Sequence, residues 1–341
     1  MKRKITCVEK CLSLKLLVEC AINEGGWVVV KCRRCLKNKA EIYLPHSNLS
    51  LCPDCFMLLT ERKVKRTVDA YRMLSKNDRI GVAVSGGKDS STLAYILNSL
   101  FGKLDMTLIY IDLGVPEYSQ HCLEKVEALA KMLDRELVVY SLEKELGFKI
   151  GDFKSTIYGR KICSACGAIK RYLLNKIAYD LGLTKVATGH NLDDTVEALF
   201  NFYLEGNIVS LLRLKPFLPR THPKLVPKIK PLIKLTDMEC LLYARYRNLP
   251  TRTVECQFSR GSRMLRRKEL LNMITEKIPN FKHQFLRSHY KRILPLLEKA
   301  CEDKEDKIYE CVTCGMPTSL EGASCHFCKL VNIVKNRRIK P

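Results

Sequence analysis

The chain has 341 residues, and 46% of them are hydrophobic, which is enough for one main domain with one or two smaller units attached. Lysine and arginine number 59 against 36 aspartates and glutamates, giving a net charge of +23. No apolar run approaches the length of a membrane span, and charged residues interrupt the first twenty residues, which argues against a signal peptide. We therefore expect a cytoplasmic protein that binds a polyanion, with nucleic acid favoured over a membrane surface.

The N-terminal part of the chain carries two Cys-x-x-Cys pairs. Their members are Cys32, Cys35, Cys52 and Cys55. In a reducing compartment, four thiolates at this spacing are typical of a structural zinc site, so we predict a zinc knuckle over residues 28–59. His46 is a spare ligand that four thiolates make unnecessary. A basic helical connector is expected over 60–79, and the extension 1–27, with Cys7, Cys11 and Cys20, has no interpretation.

From residue 80 onward, short apolar strands alternate with amphipathic helices. The predicted strands are 80–84, 106–112, 137–140 and 185–188. The predicted helices are 90–101, 119–133, 168–181 and 193–203, followed by further helices near 236–248, 264–276 and 282–299. This alternation predicts an α/β domain over 80–300 whose doubly wound parallel sheet is covered by helices on both faces.

The C-terminal part repeats the cysteine spacing of the N-terminal part. The second quartet is Cys311, Cys314, Cys325 and Cys328. We predict a second zinc knuckle with a basic tail over 301–341, in which His326 is again a spare ligand. Of the remaining cysteines, Cys122, Cys240 and Cys301 are expected in the core or on helix faces.

The segment Ser85–Ser90, Ser-Gly-Gly-Lys-Asp-Ser, leaves the first predicted strand and opens a helix. Its glycines let backbone N–H groups surround an anion, and the helix N-terminus adds positive charge. Lys88 can neutralise a phosphate, whereas Asp89 would repel it unless Mg²⁺ lies between them. A simple turn capped by Asp89 or Ser90 does not need all six residues, so the segment predicts a phosphate site.

Cys163 and Cys166 begin the helix 168–181, and two thiolates do not complete a metal site. They form either a redox or persulfide pair, or part of a site whose third ligand is distant in sequence. Lys170 follows Cys166 by one helical turn and could equally be a solvated surface lysine. After the strand 185–188, we favour Asp193 as a helix cap and Asp194 as a carboxylate that acts on Mg²⁺ or on a proton.

Two sets of motifs carry a resemblance to known proteins. Ser-Gly-Gly-Lys-Asp-Ser after a strand resembles the PP-loop of the adenine-nucleotide α-hydrolases, which cleave ATP between the α- and β-phosphates and adenylate a substrate. Together with "ICSACGAIKR" (162–171), "GHNLDD" (189–194), Cys256 and the two knuckles, it is similar to the TtuA-type tRNA uridine 2-thiolation enzymes over residues 28–335. Gln257 departs from the family, which often has proline there, and is expected to loosen the loop of Cys256.

The resemblance implies a set of cofactors and site residues. Cys163, Cys166 and Cys256 would hold a [4Fe-4S] cluster whose fourth iron stays open to a sulfide. The catalytic residues implied are Asp194, Lys170, Cys163 and Cys166. The residues implied for ATP are Ala83, Ser85, Gly86, Gly87, Lys88, Asp89, Ser90, Ile111, Lys170 and Gly189. The cofactors implied are ATP, Mg²⁺, the cluster and two Zn²⁺.

The expected function is an ATP-dependent tRNA sulfurtransferase that replaces the C2 oxygen of a uridine or ribothymidine with sulfur, with position 54 favoured. Alternatives are the wobble position 34, another PP-loop enzyme such as a cytidine thiolase, or an RNA-binding protein with a relic nucleotide loop. The segment 210–268, with 15 lysines and arginines against 3 acids, would hold the tRNA backbone. A ubiquitin-like thiocarboxylate carrier is the expected sulfur donor, and a homodimer the expected assembly.

Overall fold

The structure is a computed structural model, and it describes residues 22–23, 26–27, 30–259, 263–301 and 307–337. Cys7, Cys11 and Cys20 lie outside the described residues. None of the helices in the described part of the chain combines the length and the apolar character that a bilayer span requires.

The strands and helices follow the predicted alternation. The strands are β1 Ile22–Asn23, β2 Gly26–Trp27, β3 Ile42–Leu44, β4 Leu49–Leu51, β5 Arg79–Val84, β6 Asp105–Asp112, β7 Leu137–Ser141, β8 Lys185–Ala187, β9 Phe217–Leu218, β10 Lys228–Ile229, β11 Tyr309–Glu310 and β12 Pro317–Thr318. The α-helices are α1 Pro53–Ala70, α2 Lys88–Phe101, α3 Tyr118–Leu133, α4 Leu142–Leu146, α5 Ile162–Asp180, α6 Leu192–Leu204, α7 Ile208–Arg213, α8 Asp237–Tyr246, α9 Arg263–Lys277, α10 Phe281–Ser288, α11 Leu294–Ala300 and α12 His326–Arg337.

Six strands form the central sheet in the order β7-β6-β5-β8-β10-β9. All neighbours are parallel except β9, which pairs antiparallel with β10 at one edge. Strands β5 and β6 share the longest register, from Arg79 opposite Asp105 to Val84 opposite Tyr110. The predicted α/β fold with a parallel sheet is confirmed, and the reversal of strand order beside β5 places a ligand crevice at the carboxyl ends of β5 and β8.

Each face of the sheet shares its core with one cysteine-rich unit. On one face, Phe56 and Ile42 of the N-terminal unit join the cluster of buried side chains that contains Val82 and Leu93. On the other face, Phe327 and Leu330 of the C-terminal unit join the cluster of Ile109, Ile169 and Val186. The ring of Phe327 stacks on Tyr172 of α5 with the ring centroids 3.7 Å apart. The two terminal units therefore pack on opposite faces of the central sheet.

Three helices differ from their predicted bounds by more than two residues. Helix α1 starts at Pro53, inside the first quartet, and ends at Ala70 before Arg72 adopts a left-handed φ of 47°, so the segment 60–79 is helical only in its first part. Helix α5 begins at Ile162, and Cys163 and Cys166 therefore lie in its first turns. The predicted helix 282–299 is interrupted by a π-helical turn, His289–Ile293, just before Pro295, whose missing N–H breaks the regular hydrogen-bond ladder.

A pair of histidines joins the N-terminal unit to the rest of the domain. His46, between β3 and β4, stacks on His283 of α10 with centroids 4.5 Å apart. Burial lowers the pKa of His283 to about 4, and its buried Nε2 has no hydrogen-bond partner in the described part of the chain. The carboxylate of Glu239 lies within 4.8 Å of a ring nitrogen of each histidine. Its Oε1 accepts a hydrogen bond from Lys63 at 2.7 Å.

The pH dependence of folding tests this contact. Because the folded-state pKa of His283 is depressed, its contribution to the free energy of unfolding is complete above pH 6.5 and is lost as the pH falls towards 4, by about 2–3 kcal/mol. Urea unfolding across this range should give a shallower loss for His283→Gln than for the wild type. The control His222→Gln should follow the wild type, and a His283→Gln curve parallel to the wild type would contradict the assignment.

Candidate active site

The loop Ser85–Ser90 follows β5 and is closed by its own hydrogen bonds. The N–H of Ser85 donates to Oγ of Ser90 at 3.1 Å, and this hydroxyl donates to the carbonyl of Gly87 at 3.0 Å. Gly86 has a φ of 69°, and a Cβ there would lie 3.0 Å from the carbonyl oxygen of Cys122, so only glycine fits. Among the described residues, no side chain caps α2 at Gly87, so the first N–H groups of the helix are available to an anion.

Lys88 lies at the centre of a polar network over this loop. Its ammonium contacts Oδ2 of Asp89 at 2.9 Å and Oδ1 of Asp237 at 2.6 Å. The amide of Asn191 donates to the same two carboxylates, at 3.0 and 3.2 Å. Although burial opposes the effect, Asp237 and Asp89 raise the pKa of Lys88. Burial raises the pKa of Asp89, and the charge of Lys88 only partly offsets this increase. For Asp237, burial also favours a higher pKa, but the charge and hydrogen bond of Lys88 outweigh it and the pKa is lowered.

Two positions that the sequence interpretation missed complete the loop's surroundings. Asp237 opens α8, and the capping box formed by Thr236 and Glu239 is the sequence signal that could have placed it. Arg252 donates its backbone N–H to the carbonyl of Gly86 at 2.6 Å, and its guanidinium lies over the ring of Tyr118. The buried Nε of Arg252 has no hydrogen-bond partner among the described residues and lies 3.5 Å from where a Cβ on Gly87 would be. It is therefore a free donor beside the loop.

The segment after β8 packs against the same loop. A Cβ on Gly189 would lie 3.1 Å from the backbone of both Asp89 and Ser90. Ala83 and Ile111, also predicted to contact ATP, lie one residue before the ends of β5 and β6, at the same edge of the sheet.

The interpretation of Asp193 as the cap of α6 is wrong. Asn191 is the N-cap, and its side chain accepts the N–H of Asp194 at 3.0 Å. Asp193 instead accepts the N–H of Asp237 at 2.8 Å and pairs with the ammonium of Lys282, so it ties α6 to α8 and α10. Asp194 closes the capping box and pairs with Lys268 at 2.5 Å, with part of its carboxylate exposed to the crevice.

Cys163, Cys166 and Cys256 are near enough for their charges to interact, but, unlike the four thiols of each terminal quartet, their Sγ atoms do not all lie within 4.8 Å of one another. The thiol of Cys163 donates to the carbonyl of Phe258 at 3.0 Å, which holds the turn of Cys256 against α5. Burial raises the pKa of Cys163 and of Cys166, and the nearby Cys256 adds to both increases. The turn after Cys256 is fixed by Ser259, whose N–H and Oγ both donate to the carbonyl of Cys256, at 3.0 and 2.7 Å.

Lys170 connects the cysteines to the crevice. Its charge opposes the increase in the pKa of Cys166, and it also acts on the imidazole of His190, which follows Gly189. Lys170 is exposed, so its ammonium is accessible to a ligand that enters between the loop Ser85–Ser90 and the cysteines.

The two terminal quartets have the geometry of tetrahedral thiolate sites. In each, the four Sγ atoms all lie within 4.8 Å of one another, and neighbouring sulfurs such as Cys35 and Cys52 are 3.9 Å apart. Four thiolates around one zinc ion lie about 3.8 Å apart when each Zn–S distance is about 2.3 Å. Burial opposes ionisation of Cys32 and Cys311, but backbone N–H donors outweigh it and lower the pKa of each thiol to about 6. The spare ligands His46 and His326 lie outside both quartets.

The other predicted cysteine positions are consistent with packing roles. Cys122 and Cys240 are fully buried, and Cys301 is half-buried at the end of α11. No pair among the fourteen described cysteines forms a disulfide.

Comparison with known proteins defines the class first. Residues 58–271 match the family model of the PP-loop domain, which covers more than half of the chain. Residues 31–57 match the model of the N-terminal LIM domain of the 2-thiouridine synthetase TtuA. The chain is a PP-loop protein, and within that class it belongs to the TtuA-type 2-thiouridine synthetase family.

Individual relatives agree with this assignment. The chain is 38% identical to the tRNA-5-methyluridine(54) 2-sulfurtransferase of Pyrococcus horikoshii over 91% of this chain and 96% of the relative. It is 35% identical to the protein of the same name from Thermus thermophilus over 91% and 93% of the two chains. The solved U34-tRNA thiolase NcsA from Methanococcus maripaludis, with its [4Fe-4S] cluster, is similar with a TM-score of 0.72 and 27% identity over 91% of this chain and 97% of that chain.

Replacement of Gly189 by alanine tests the contact beneath the loop. The new Cβ meets backbone atoms of Asp89 and Ser90, which cannot move aside as a flexible side chain would. Gly189→Ala should weaken ATP binding about tenfold or more, equivalent to about 1.4 kcal/mol, as measured by calorimetric titration. Gly151→Ala is the control, since its Cβ would make only an ordinary 3.7 Å contact with Phe258. Wild-type ATP affinity in Gly189→Ala would refute the role of this contact.

Proposed function

We propose that the chain is an ATP-dependent tRNA sulfurtransferase that replaces the C2 oxygen of uridine or 5-methyluridine at position 54 with sulfur. The single observation that carries the proposal is that Lys170 lies near both Cys166 and His190, while Gly189, which precedes His190, packs on the loop Ser85–Ser90. These contacts connect the cysteines to the loop. The named activity of the relatives from Pyrococcus horikoshii and Thermus thermophilus supports position 54.

ATP binding follows from the groups around the loop. The free N–H groups at the start of α2 and the Nε of Arg252 donate to the β- and γ-phosphate oxygens. Asp89 and Asp237 are the carboxylate pair suited to Mg²⁺, and the arrival of the cation leaves Lys88 to neutralise phosphate. These donors stabilise the charge that develops on pyrophosphate as it leaves.

The reaction needs an activated oxygen because the carbonyl oxygen at C2 is a poor leaving group. The uridine O2 attacks the α-phosphorus, the bond to the β-phosphate oxygen breaks and pyrophosphate leaves, while Asp194 takes the N3 proton. Hydrosulfide then adds to C2, and AMP leaves with the former uridine oxygen. The S–H proton moves to N3 to give the C2 thiocarbonyl, and the proton that Asp194 took is released with pyrophosphate or to water. Lys170 neutralises the α-phosphate through both steps.

The three cysteines fit an iron–sulfur cluster. They come from a helix start and a distant turn that Ser259 fixes, and positively charged Lys170 lies beside them. When bound, a [4Fe-4S] cluster held by only Cys163, Cys166 and Cys256 supplies an iron with a free coordination position, a Lewis acid suited to sulfur. The cluster in the related thiolase NcsA supports this assignment over a redox or persulfide pair.

The sulfur donor and the assembly remain part of the proposal. We expect a ubiquitin-like carrier with a C-terminal thiocarboxylate to deliver sulfur, and a homodimer to be the working assembly. Wobble-position thiolation is the second candidate, and it is favoured by the structural likeness to a U34-tRNA thiolase.

Nucleoside analysis of tRNA tests the function. The purified protein, with ATP, Mg²⁺, sulfide and unmodified tRNA, should give 2-thiouridine or 2-thioribothymidine, and mapping by mass spectrometry should place it at position 54. Cys163→Ala should remove both the brown colour of the anaerobically purified protein and thiolation, whereas the control Cys301→Ala should keep both. Thiolation by a colourless Cys163→Ala protein would exclude the cluster, and absence of thionucleosides with the wild type would exclude the function.

Metal analysis tests the two terminal quartets. Inductively coupled plasma mass spectrometry should find two zinc ions per chain, one for each quartet. Cys32→Ser and Cys328→Ser should each lose one zinc ion and lower the thermal stability, because each ion holds a unit that shares a core with one face of the sheet. His46→Ala, which removes the spare ligand of the first unit, should retain both ions. Full zinc content in either serine variant would contradict the four-thiolate assignment.

A further inference from the structure

A group of positively charged side chains lies beyond the loop Ser85–Ser90 and takes no part in the proposed ATP site. Lys228 and Lys230 lie two residues apart at the end of β10 and project to the same face of the sheet. Arg171, beside Lys170 on α5, acts on the charge of Lys228 from the helix that covers this face. His190, after β8, is affected by the charges of both Lys230 and Arg171. We call these four residues the β10 pocket.

Lys230 is the deepest member of the β10 pocket. Only 9% of its surface is exposed, and within the described part of the chain its ammonium has neither a carboxylate nor a hydrogen-bond partner. Burial and the adjacent Lys228 lower the pKa of Lys230 to about 8. Lysines this buried are usually paired. The Nζ of Lys230 is not one of the fully buried donors without a partner in the described part of the chain, so the stem is buried while the ammonium itself still touches solvent.

No described acid neutralises the pocket from its neighbours. Asp194 also acts on His190, but Lys268 already pairs with it at 2.5 Å. Lys170 adds a further positive charge at the rim of the pocket, where Arg171 is also exposed to solvent. An ammonium without a carboxylate partner, held on a buried stem below an open positively charged rim, is an arrangement that an entering anion would neutralise.

The position of the pocket distinguishes this anion from the pyrophosphate. Strand β8 lies between β5, which leads into the loop Ser85–Ser90, and β10, which leads to Lys230. Two strand spacings correspond to roughly 10 Å. Arg171 is close enough to Cys166 for the two charges to interact, so the rim of the pocket borders the cysteines. A uridine that reaches both the α-phosphate and the cysteines would bring its own backbone phosphates to this rim.

We infer that the β10 pocket binds a phosphodiester of the RNA substrate next to the target nucleotide, with Lys230 as its buried anchor. The inference rests on the proposed function for the identity of the substrate. Phosphate is the shared chemistry of RNA and ATP, so the experiment must separate these two sources. Lys230 is thereby assigned a positioning role, since it holds the nucleotide in register with the α-phosphate and the cysteines.

Binding measurements on Lys230 variants test the inference. Lys230→Gln should weaken binding of unmodified tRNA about tenfold and reduce the slope of log affinity against log salt concentration by about 0.7–0.9, the value for one lost phosphate contact. ATP affinity and the visible spectrum of the anaerobically purified protein should stay unchanged. Lys230→Arg should retain tRNA affinity, and Lys103→Gln, which removes one exposed charge before β6, should behave as the wild type.

The pH profile gives a readout that a merely structural lysine would not move. An amine with a pKa of about 8 must be protonated to bind phosphate, so the tRNA affinity of the wild type should fall above pH 8. Lys228, Arg171, His190, Lys170 and Asp194 face the same pocket, and they are unchanged in Lys230→Arg. That variant should therefore show a flatter profile, because its guanidinium stays charged. A profile identical to the wild type would count against Lys230 as the anchor.

The outcomes separate this inference from the proposed function. Loss of ATP affinity in Lys230→Gln with unchanged tRNA binding would assign the pocket to a nucleotide phosphate and overturn the inference, and so would unchanged affinity for both. Thermal unfolding checks the fold, and the melting temperature of Lys230→Gln should stay close to that of the wild type, because the variant removes an ammonium that has no hydrogen-bond or carboxylate partner among the described residues. Weakened tRNA binding by this variant, with no thiolation by the wild type, would support the pocket and refute the function.

Discussion

The ammonium of Lys88 lies between the carboxylates of Asp89 and Asp237, and Asn191 bridges the same two carboxylates. This contact joins three segments that are far apart in sequence: the loop after β5, the segment after β8 and the start of α8. The loop contributes Lys88 and Asp89, the segment after β8 contributes the Asn191 amide, and α8 contributes Asp237. These groups are partly buried, and removal of any one would leave the others without a partner. The shape of the crevice therefore depends on the pairing of Lys88 with Asp89 and Asp237. A ligand that brings both a phosphate and a cation can take over this pairing, with the phosphate on the ammonium and the cation on the carboxylates.

The second organising feature is the attachment of a cysteine-rich unit to each face of the sheet. Units of this size rarely bury enough apolar surface to fold stably by themselves. Here each unit packs into the hydrophobic core of the central domain, through Phe56 on one face and Phe327 on the other. The stack of Phe327 on Tyr172 fixes the C-terminal unit to α5, the helix that begins with Cys163 and Cys166. The position of the C-terminal unit is therefore linked through α5 to that of Cys163 and Cys166.

Much of the fold and part of the site could be predicted from local pattern, because hydrophobic period and turn chemistry act over a few residues. The alternation from residue 80 and the special loop at Ser85–Ser90 are of this kind. The role of Asp193 could not be predicted in the same way. Asn191 two residues earlier has an equally good capping side chain, and what decides between them is the distant Lys282 and the N–H of Asp237, which hold the Asp193 carboxylate elsewhere. Pro295 is a local signal for a break in the predicted helix 282–299. The form of the break, a π-helical turn that starts at the buried His289, depends on tertiary packing.

The sequence by itself determined the parallel sheet, the anion-binding loop and the two thiolate quartets, because each depends on residues that are close in the chain and on a spacing that few other structures use. Only the tertiary structure decided that Asp237 and Arg252 border the loop, that the turn of Cys256 packs against the start of α5, and that Lys230 is buried without a partner. The first two are contacts across 80 or more residues, and the position of Lys230 depends on which strand lies beside β8 in the sheet. No local pattern specifies which distant charge, thiol or carbonyl will be the neighbour once the strands have taken their order.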